Sequence, residues 1–434
     1  MKKFISLLLL FVSFMSYGIG LTDYEPFSYE VLFTNPVCAL YEYEQDVYSN
    51  SGNLLTAKPR NVYCKKSDLE ISAEKSDSPQ HRLIEWIRDR STKEIFLAYL
   101  SFSNRTIEKE LCNAIEKRNV KVRFVLHQNT DKKLANELLK CHPKNAANPN
   151  EPEVLYRGDA GISGRGTIGY AHNKLFMVNP NSRKKVRMAF SSGNMSSGTV
   201  LHHENWHFIT TSPDSFFAQA HHCLINGVID YATDRKTYTD YIAQCKSEIE
   251  AEEEDDIKIF FVPGEGEAAT AAIRNALRKS AKVSIAAHRF SYKNLVEMLS
   301  ETLKEQTATI RLVVDDDIYW SGKLRTNVGS NTPFEARVVK KLVDQGLEVK
   351  YMETNQNARL LHHNKFIIFD YENDEGAVFA GAGNFTSTAF KSNFENFYFI
   401  TIPSVVKKFK QQYSMMWNEM ATSVSDLPSE LIMP

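Results

Sequence analysis

One ten-residue pattern, present twice, constrains this chain more than any other feature. Tyr170-Ala171-His172-Asn173-Lys174-Leu175-Phe176-Met177-Val178-Asn179 returns as Leu361-His362-His363-Asn364-Lys365-Phe366-Ile367-Ile368-Phe369-Asp370. In a β-strand residues i and i+2 share a face, so the histidine and lysine of each copy project together. The apolar run that follows predicts a strand covered on both faces. Asn179 and Asp370 stand seven residues after their histidines, an odd offset that puts them on the other face, where they brace a loop rather than touch a ligand.

The repeat extends beyond the pattern. His172 and His363 are 191 positions apart, and so are Glu204 and Glu395. Asn194 and Asn384 are separated by 190, one fewer, as a loop deletion would leave. Ahead of the first copy, periodicity predicts helices over 81–90, 106–118 and 134–139 and strands over 93–100 and 120–126. Ahead of the second it predicts helices over 269–278, 294–304 and 334–344 and strands over 282–287, 309–314 and 347–351. After each copy a turn leads to another strand, 186–190 or 377–379, and to a loop bearing Asn194 or Asn384. The expected fold is therefore α/β: two similar α/β sandwich lobes related by internal duplication. The lobes are set at 81–247 and 257–434, with an acidic, solvated linker at 248–256. Residues 21–80 are read as an extension packed on the first lobe.

With 434 residues there is room for two or three domains. A net charge of −1 exerts no global pull toward nucleic acid. Residues 1–20 have a basic start, an apolar stretch too short for a comfortable membrane span, and small residues at its end, so they read as a signal peptide. The expected location is outside the cytosol, periplasmic or secreted. Six cysteines, an even count, then suggest disulfides, the simplest pairing being Cys38–Cys64, Cys112–Cys141 and Cys223–Cys245.

Two histidines, two lysines and two asparagines facing one cleft make an anion site. Lysine is a compact cation and asparagine a neutral donor, and both suit phosphate oxygens. Histidine can serve as a neutral nucleophile in one copy and a protonated acid in the other. A carboxylate on the far ring nitrogen, Glu204 or Glu395, would fix the tautomer. These parts fit phosphodiester chemistry through a phosphohistidine.

The doubled motif resembles the phospholipase D superfamily, whose signature is H-x-K-x4-D with a downstream G-x-N or S-x-N and a glutamate. His363, Lys365 and Asp370 match it fully. His172 and Lys174 match it with Asn179 in the aspartate position. The resemblance covers roughly residues 81–434. It implies two lobes around a pseudo-two-fold axis, one shared site, and no metal or cofactor. The implied catalytic set is His172, Lys174, Asn194, Glu204, His363, Lys365, Asp370, Asn384 and Glu395, with attack assigned to His172 and the acid role to His363. The expected substrate is a phospholipid at a membrane surface. Nucleic acid is the alternative, phosphatidyl transfer of the cardiolipin-synthesis type a third option, and a phosphate-binding protein without turnover a fourth. One chain carries both halves, so a monomer is expected.

Other features are read more plainly. His203-Glu204-Asn205-Trp206-His207 fits a zinc-protease pattern, but that pattern needs a helix and this stretch reads as a strand. His202, His221 and His222 are read as surface or packing residues without repeat partners. The loop 158–169 is expected to line the mouth of the cleft or to be only a mobile connection, and the polar insert 317–333, with Trp320, Lys323 and Arg325, to shape substrate access. Arg183, Lys184 and Lys185 read as a solvated hairpin tip.

Overall fold

The computed structural model describes residues 18–36, 38–42, 47–48, 54–56, 60–64, 75–144, 146–159, 166–196, 198–320, 334–355, 360–373 and 375–423. Most of the expected signal peptide lies outside them, as do 160–165 and 321–333 of the two loops.

Two mixed sheets organise the chain. The first contains β1 (Ser28–Thr34), β2 (Glu94–Tyr99), β3 (Lys121–His127), β4 (Glu153–Arg157), β5 (Lys174–Val178), β6 (Val186–Ser191) and β7 (Glu204–Thr211), in the order β1-β7-β6-β5-β2-β3-β4. The second contains β8 (Ile257–Val262), β9 (Ser280–Ala287), β10 (Thr309–Asp315), β11 (Glu348–Met352), β12 (Lys365–Tyr371), β13 (Gly376–Gly381), β14 (Glu395–Ile400) and β15 (Thr422–Ser423), in the order β8-β14-β13-β12-β9-β10-β11-β15. Adding seven to every strand number of the first sheet reproduces the second, with β15 as an extra edge. The duplication seen in the motifs is thus a duplication of topology. Ser28–Thr34, read from sequence as part of an extension, is the edge strand of the first sheet itself, paired with β7 from Ser28↔Thr210 to Thr34↔Glu204.

Each sheet has an outer core under its own helices. In the first lobe these are α1 (Pro79–Arg88) and α2 (Arg105–Arg118), packed through Leu83, Ile87, Ile107 and Leu111 onto Leu97, Phe124 and Phe176. The inner faces of both sheets instead share one core. Helix α3 (Phe216–Asp230) is buried in it, and α4 (Arg235–Ser247) joins it through Tyr238 and Ile242. Helices α5 (Gly266–Leu277), α6 (Lys293–Glu305) and α7 (Phe334–Val343) cover the outer core of the second lobe, and α8 (Pro403–Met415) returns to the shared one. Phe190 of the first sheet stacks on Tyr398 of the second with ring centroids 3.6 Å apart, and Phe409 of α8 touches Phe33, His207 and Phe366. An aromatic pair of this kind contributes about 0.5–1.5 kcal/mol beyond its buried area, and in this core it also fixes one lobe against the other. Helices α3 and α4 and strands β4 and β8 are not apparent from periodicity. α3 is buried along most of its length, so it has no polar stripe to set a phase.

The linker is not simply solvated. Glu254 is fully buried and its Oε1 accepts from Phe217 N at 3.1 Å; burial pushes its carboxyl up to about 7. Asp256 Oδ1 accepts from Leu21 N at 2.6 Å, and Asp255 N donates to Ile19 O at 2.8 Å. The acidic run is a strap in which Glu254 and Asp256 serve as acceptors for backbone donors. Cys112–Cys141 and Cys223–Cys245 are disulfides. Cys38 and Cys64 face each other in a two-stranded pairing; their side chains lie outside the described set. No described helix is long and apolar enough to cross a membrane.

Candidate active site

Lys174 and Lys365 open β5 and β12, and their histidines stand just ahead of the strands. β5 runs antiparallel to β2 with Lys174 opposite Tyr99, and β12 antiparallel to β9 with Lys365 opposite Ala287. Both motifs therefore lie at the carboxyl ends of the parallel strands, where open α/β sheets bind ligands.

Backbone bridges hold the two motifs together. His172 N donates to Phe394 O at 3.0 Å and Phe394 N to Tyr170 O at 2.9 Å. The mirror set is His363 N to His203 O and His203 N to Leu361 O, both at 2.9 Å. Phe394 and His203 each immediately precede a motif glutamate, so each bridge delivers a glutamate to the opposite lobe's histidine. Nδ1 of His172 donates to Glu395 Oε2 at 2.8 Å, and Nδ1 of His363 donates to Glu204 Oε1 at 3.1 Å. Both glutamates are fully buried. The carboxylates hold the proton of each imidazole on Nδ1, which leaves the lone pair on Nε2.

The lysines fold back on their own motifs. Lys174 Nζ lies 2.9 Å from His172 O and 3.1 Å from both ring nitrogens of His172. Lys365 Nζ donates to His363 O at 2.8 Å and to Ser192 O, in the other lobe, at 3.1 Å. Burial pushes Lys174 down to about 8, against the pull of Glu395 and Glu204. Burial, then Lys174, holds Lys365 well below the ordinary lysine range. His172 is lowered to about 4, by burial first and by both lysines, with Glu395 opposing. His363 is held well below its ordinary value by burial, then Lys365, His288 and His202. Both histidines are thus neutral at pH 7 in the free site. A bound anion would supply the negative charge that favours a proton on one of them.

Asn194 and Asn384 stand in matching turns, with Ser196 N donating to Asn194 O and Thr386 N to Asn384 O, each at 2.8 Å. Each leaves a buried Oδ1 without a partner among the described residues. Gly193, beside Asn194, lies against the Glu204 carboxylate, where a Cβ would sit 1.8 Å from Oε2.

Asp370 does not join this cluster, which corrects its place in the expected catalytic set. It is five residues along β12 from Lys365, about 17 Å at the usual strand rise, and its carboxylate pairs with Lys410 on α8. Its counterpart Asn179 sits at a φ of 53° in the turn after β5. Asn179 Oδ1 accepts from Lys93 N at 2.7 Å and Glu94 N at 3.1 Å, and Nδ2 donates to Ser91 O at 2.8 Å. The asparagine is a loop brace that uses its amide donor, which aspartate lacks.

The reading of His202 as an unpartnered surface or packing residue is likewise corrected. It is buried, and its Nδ1 donates to Glu204 Oε1 at 3.0 Å. Its repeat partner is Asn393, again 191 positions on, whose Nδ2 donates to Glu395 Oε1 at 3.0 Å. The offset that pairs the motifs would have found this pair. His221 is a buried packing residue between Phe217 O and Tyr398 OH, and His222 contacts Pro180 O. Glu204–Thr211 is a strand, so His203 and His207 cannot meet on a helix face; His207 packs against Phe190 and bonds Tyr29. Trp320 is buried in the second lobe's outer core rather than at a cleft mouth. The described end of the 158–169 loop is tied across the lobes, with Gly169 N donating to Ser392 O at 2.7 Å. Lys323 and Arg325 lie outside the described residues, and Arg183, Lys184 and Lys185 are exposed.

Residues 269–417 match the family model described as cardiolipin synthase, PLD-like domain. Among solved structures, phosphatidylserine synthase of Haemophilus influenzae Rd KW20 is 13% identical over 84% of this chain and 87% of that one, with a TM-score of 0.54; at that identity the likeness is one of fold. Polyphosphate kinase from Porphyromonas gingivalis is 13% identical over 79% of this chain, with a TM-score of 0.48, and this chain spans 49% of its length. Yeast tyrosyl-DNA phosphodiesterase is 9% identical over 74% of this chain and 86% of that one, with a TM-score of 0.46. No curated protein matches the chain.

Proposed function

We propose, since the chain belongs to the phospholipase D superfamily, that it is an exported phosphodiesterase hydrolysing phospholipid headgroups, or passing them to another alcohol, through a covalent phosphohistidine. Its site is shared by a first lobe at 81–247, to which β1 is added, and a second at 257–434. The observation that carries the reading is the crossed pairing of His172 with Glu395 and of His363 with Glu204, with both lysines buried between them.

In the reaction so assigned, His172 Nε2 attacks phosphorus. The bond from phosphorus to the leaving oxygen breaks, and a proton on His363 Nε2 goes to that oxygen. His363, now neutral, takes a proton from water or an acceptor alcohol, which attacks phosphorus and releases His172. Lys174, Lys365, Asn194 and Asn384 are assigned to the phosphoryl oxygens. Carboxylates on both Nδ1 atoms stabilise the positive charge that each imidazole carries in turn.

Two disulfides favour an oxidising compartment, where lipid is an available phosphodiester. The near-zero net charge favours lipid over a phosphate-tracking surface for nucleic acid. The test is incubation of the purified protein with phosphatidylcholine or phosphatidylethanolamine vesicles, and separately with single- and double-stranded DNA, all in EDTA. Lipid cleavage is expected, and its loss in His172→Ala and in His363→Ala. Cleavage of DNA alone rejects the lipid assignment, and full activity in either alanine variant rejects the shared site.

A further inference from the structure

The two halves of the site differ at the buried residue two positions before each motif glutamate. Asn393 backs Glu395 in one half and His202 backs Glu204 in the other. Glu204 Oε1 accepts from two imidazoles at once, His202 Nδ1 at 3.0 Å and His363 Nδ1 at 3.1 Å. Trp206 Nε1 donates to the other oxygen at 3.2 Å and turns Oε1 toward the pair. The ligating atoms that the three side chains offer lie within 4.8 Å of one another. Tetrahedral zinc with bonds of about 2.0–2.1 Å separates its ligands by roughly 3.3 Å, so the contacts at Glu204 are already near that spacing.

We propose that the chain binds one Zn²⁺ ion through His202 Nδ1, Glu204 Oε1 and His363 Nδ1, and that this ion arrests the site. Two imidazoles and a carboxylate suit zinc, whereas Mg²⁺ and Ca²⁺ prefer all-oxygen sets. His202 is 7% and His363 6% exposed, so neither residue is sealed from solvent. His363 moves its proton from Nδ1 to Nε2 as Nδ1 takes the metal. That shift is what inhibits, because His363 then has no lone pair on Nε2 to accept a proton, and Glu204 no longer supports it. The first-lobe half is exempt, since Asn393 offers an amide donor where His202 offers a ligand.

The inhibitory part rests on the proposed function; the binding part does not. Titration of EDTA-stripped protein with ZnCl₂ in a calorimeter is expected to give one site per chain, with no comparable signal from MgCl₂. His202→Asn, which copies the other half, is expected to weaken Zn²⁺ binding at least 100-fold, with a thermal melt to check folding. Zn²⁺ is expected to stop phosphodiester cleavage and EDTA to restore it. The proposal is overturned by absence of Zn²⁺ binding in the unmodified protein or by unchanged affinity in folded His202→Asn. If no substrate is turned over, the proposed function fails while the Zn²⁺ stoichiometry and the His202→Asn affinity still decide the site.

Discussion

Glu395→Gln tests the crossed wiring. Both oxygens of Glu395 accept, one from His172 Nδ1 at 2.8 Å and one from Asn393 Nδ2 at 3.0 Å. Glutamine offers one acceptor and one NH₂, so one of the two donors must face another donor. A hydrogen bond to a charged group contributes about 1.5–3 kcal/mol. At about 1.4 kcal/mol per decade of rate, losing it slows formation of the phosphoenzyme roughly 10- to 150-fold, measured by rapid quench. The assignment to one histidine is read by NMR of ¹⁵N-histidine-labelled protein. Glu395 holds the His172 pKa up against burial, so its removal lowers that pKa further below about 4 and shifts the His172 Nδ1 resonance. The His363 resonance, held by Glu204, should stay in place. Glu204→Gln should give the mirror result. Movement of His363 with His172 unchanged in Glu395→Gln, as pairing within one lobe requires, would refute the reasoning.

Three further outcomes are expected. kcat/KM should fall more steeply with pH above about 8, where Lys174 loses its charge in addition to the proton required on His363; a slope unchanged to pH 10 contradicts the role of Lys174. Asn179→Ala should lower stability by about 3–4 kcal/mol, from three hydrogen bonds and a left-handed backbone. Asn179→Asp keeps both acceptor bonds and should lose about 1 kcal/mol, with activity changed less than severalfold; urea midpoints and initial rates decide both. The Glu254 carboxyl is raised from 4.5 to about 7, so the folded state favours its protonated form and the protein loses stability as pH rises from 4.5 to about 7. The loss is about 3 kcal/mol. Glu254→Gln keeps the acceptor for Phe217 N and should remove that slope in denaturation measured from pH 4 to 8; an unchanged slope assigns it elsewhere.

Amphipathic helices and β-branched strands were legible. The predicted helix over 106–118 is observed as Arg105–Arg118, and the predicted strand over 309–314 as Thr309–Asp315. Periodicity reports burial on one side, which Arg105–Arg118 has; Thr309–Asp315 is legible instead as a short β-branched run and is buried on both faces. Periodicity is silent for Phe216–Asp230, which is buried on most sides between the sheets, and for Ile257–Val262, a short apolar run without a phase. Asp370 illustrates a motif position misread as chemistry. The strand parity that excused Asn179 applied equally to Asp370, and the structure sends it to Lys410.

The order of residues alone establishes that there are two copies of one lobe, which residues each copy contributes, and that histidine, lysine, asparagine and glutamate recur in register, because a duplication preserves spacing along the chain. It could not say which glutamate serves which histidine. That pairing depends on backbone bridges between residues far apart in the chain, His172 with Phe394 and His363 with His203. Nor could it reveal that His202 and His363 share one carboxylate oxygen, since the distance between them is set only when the inner faces of the two sheets close on a common core.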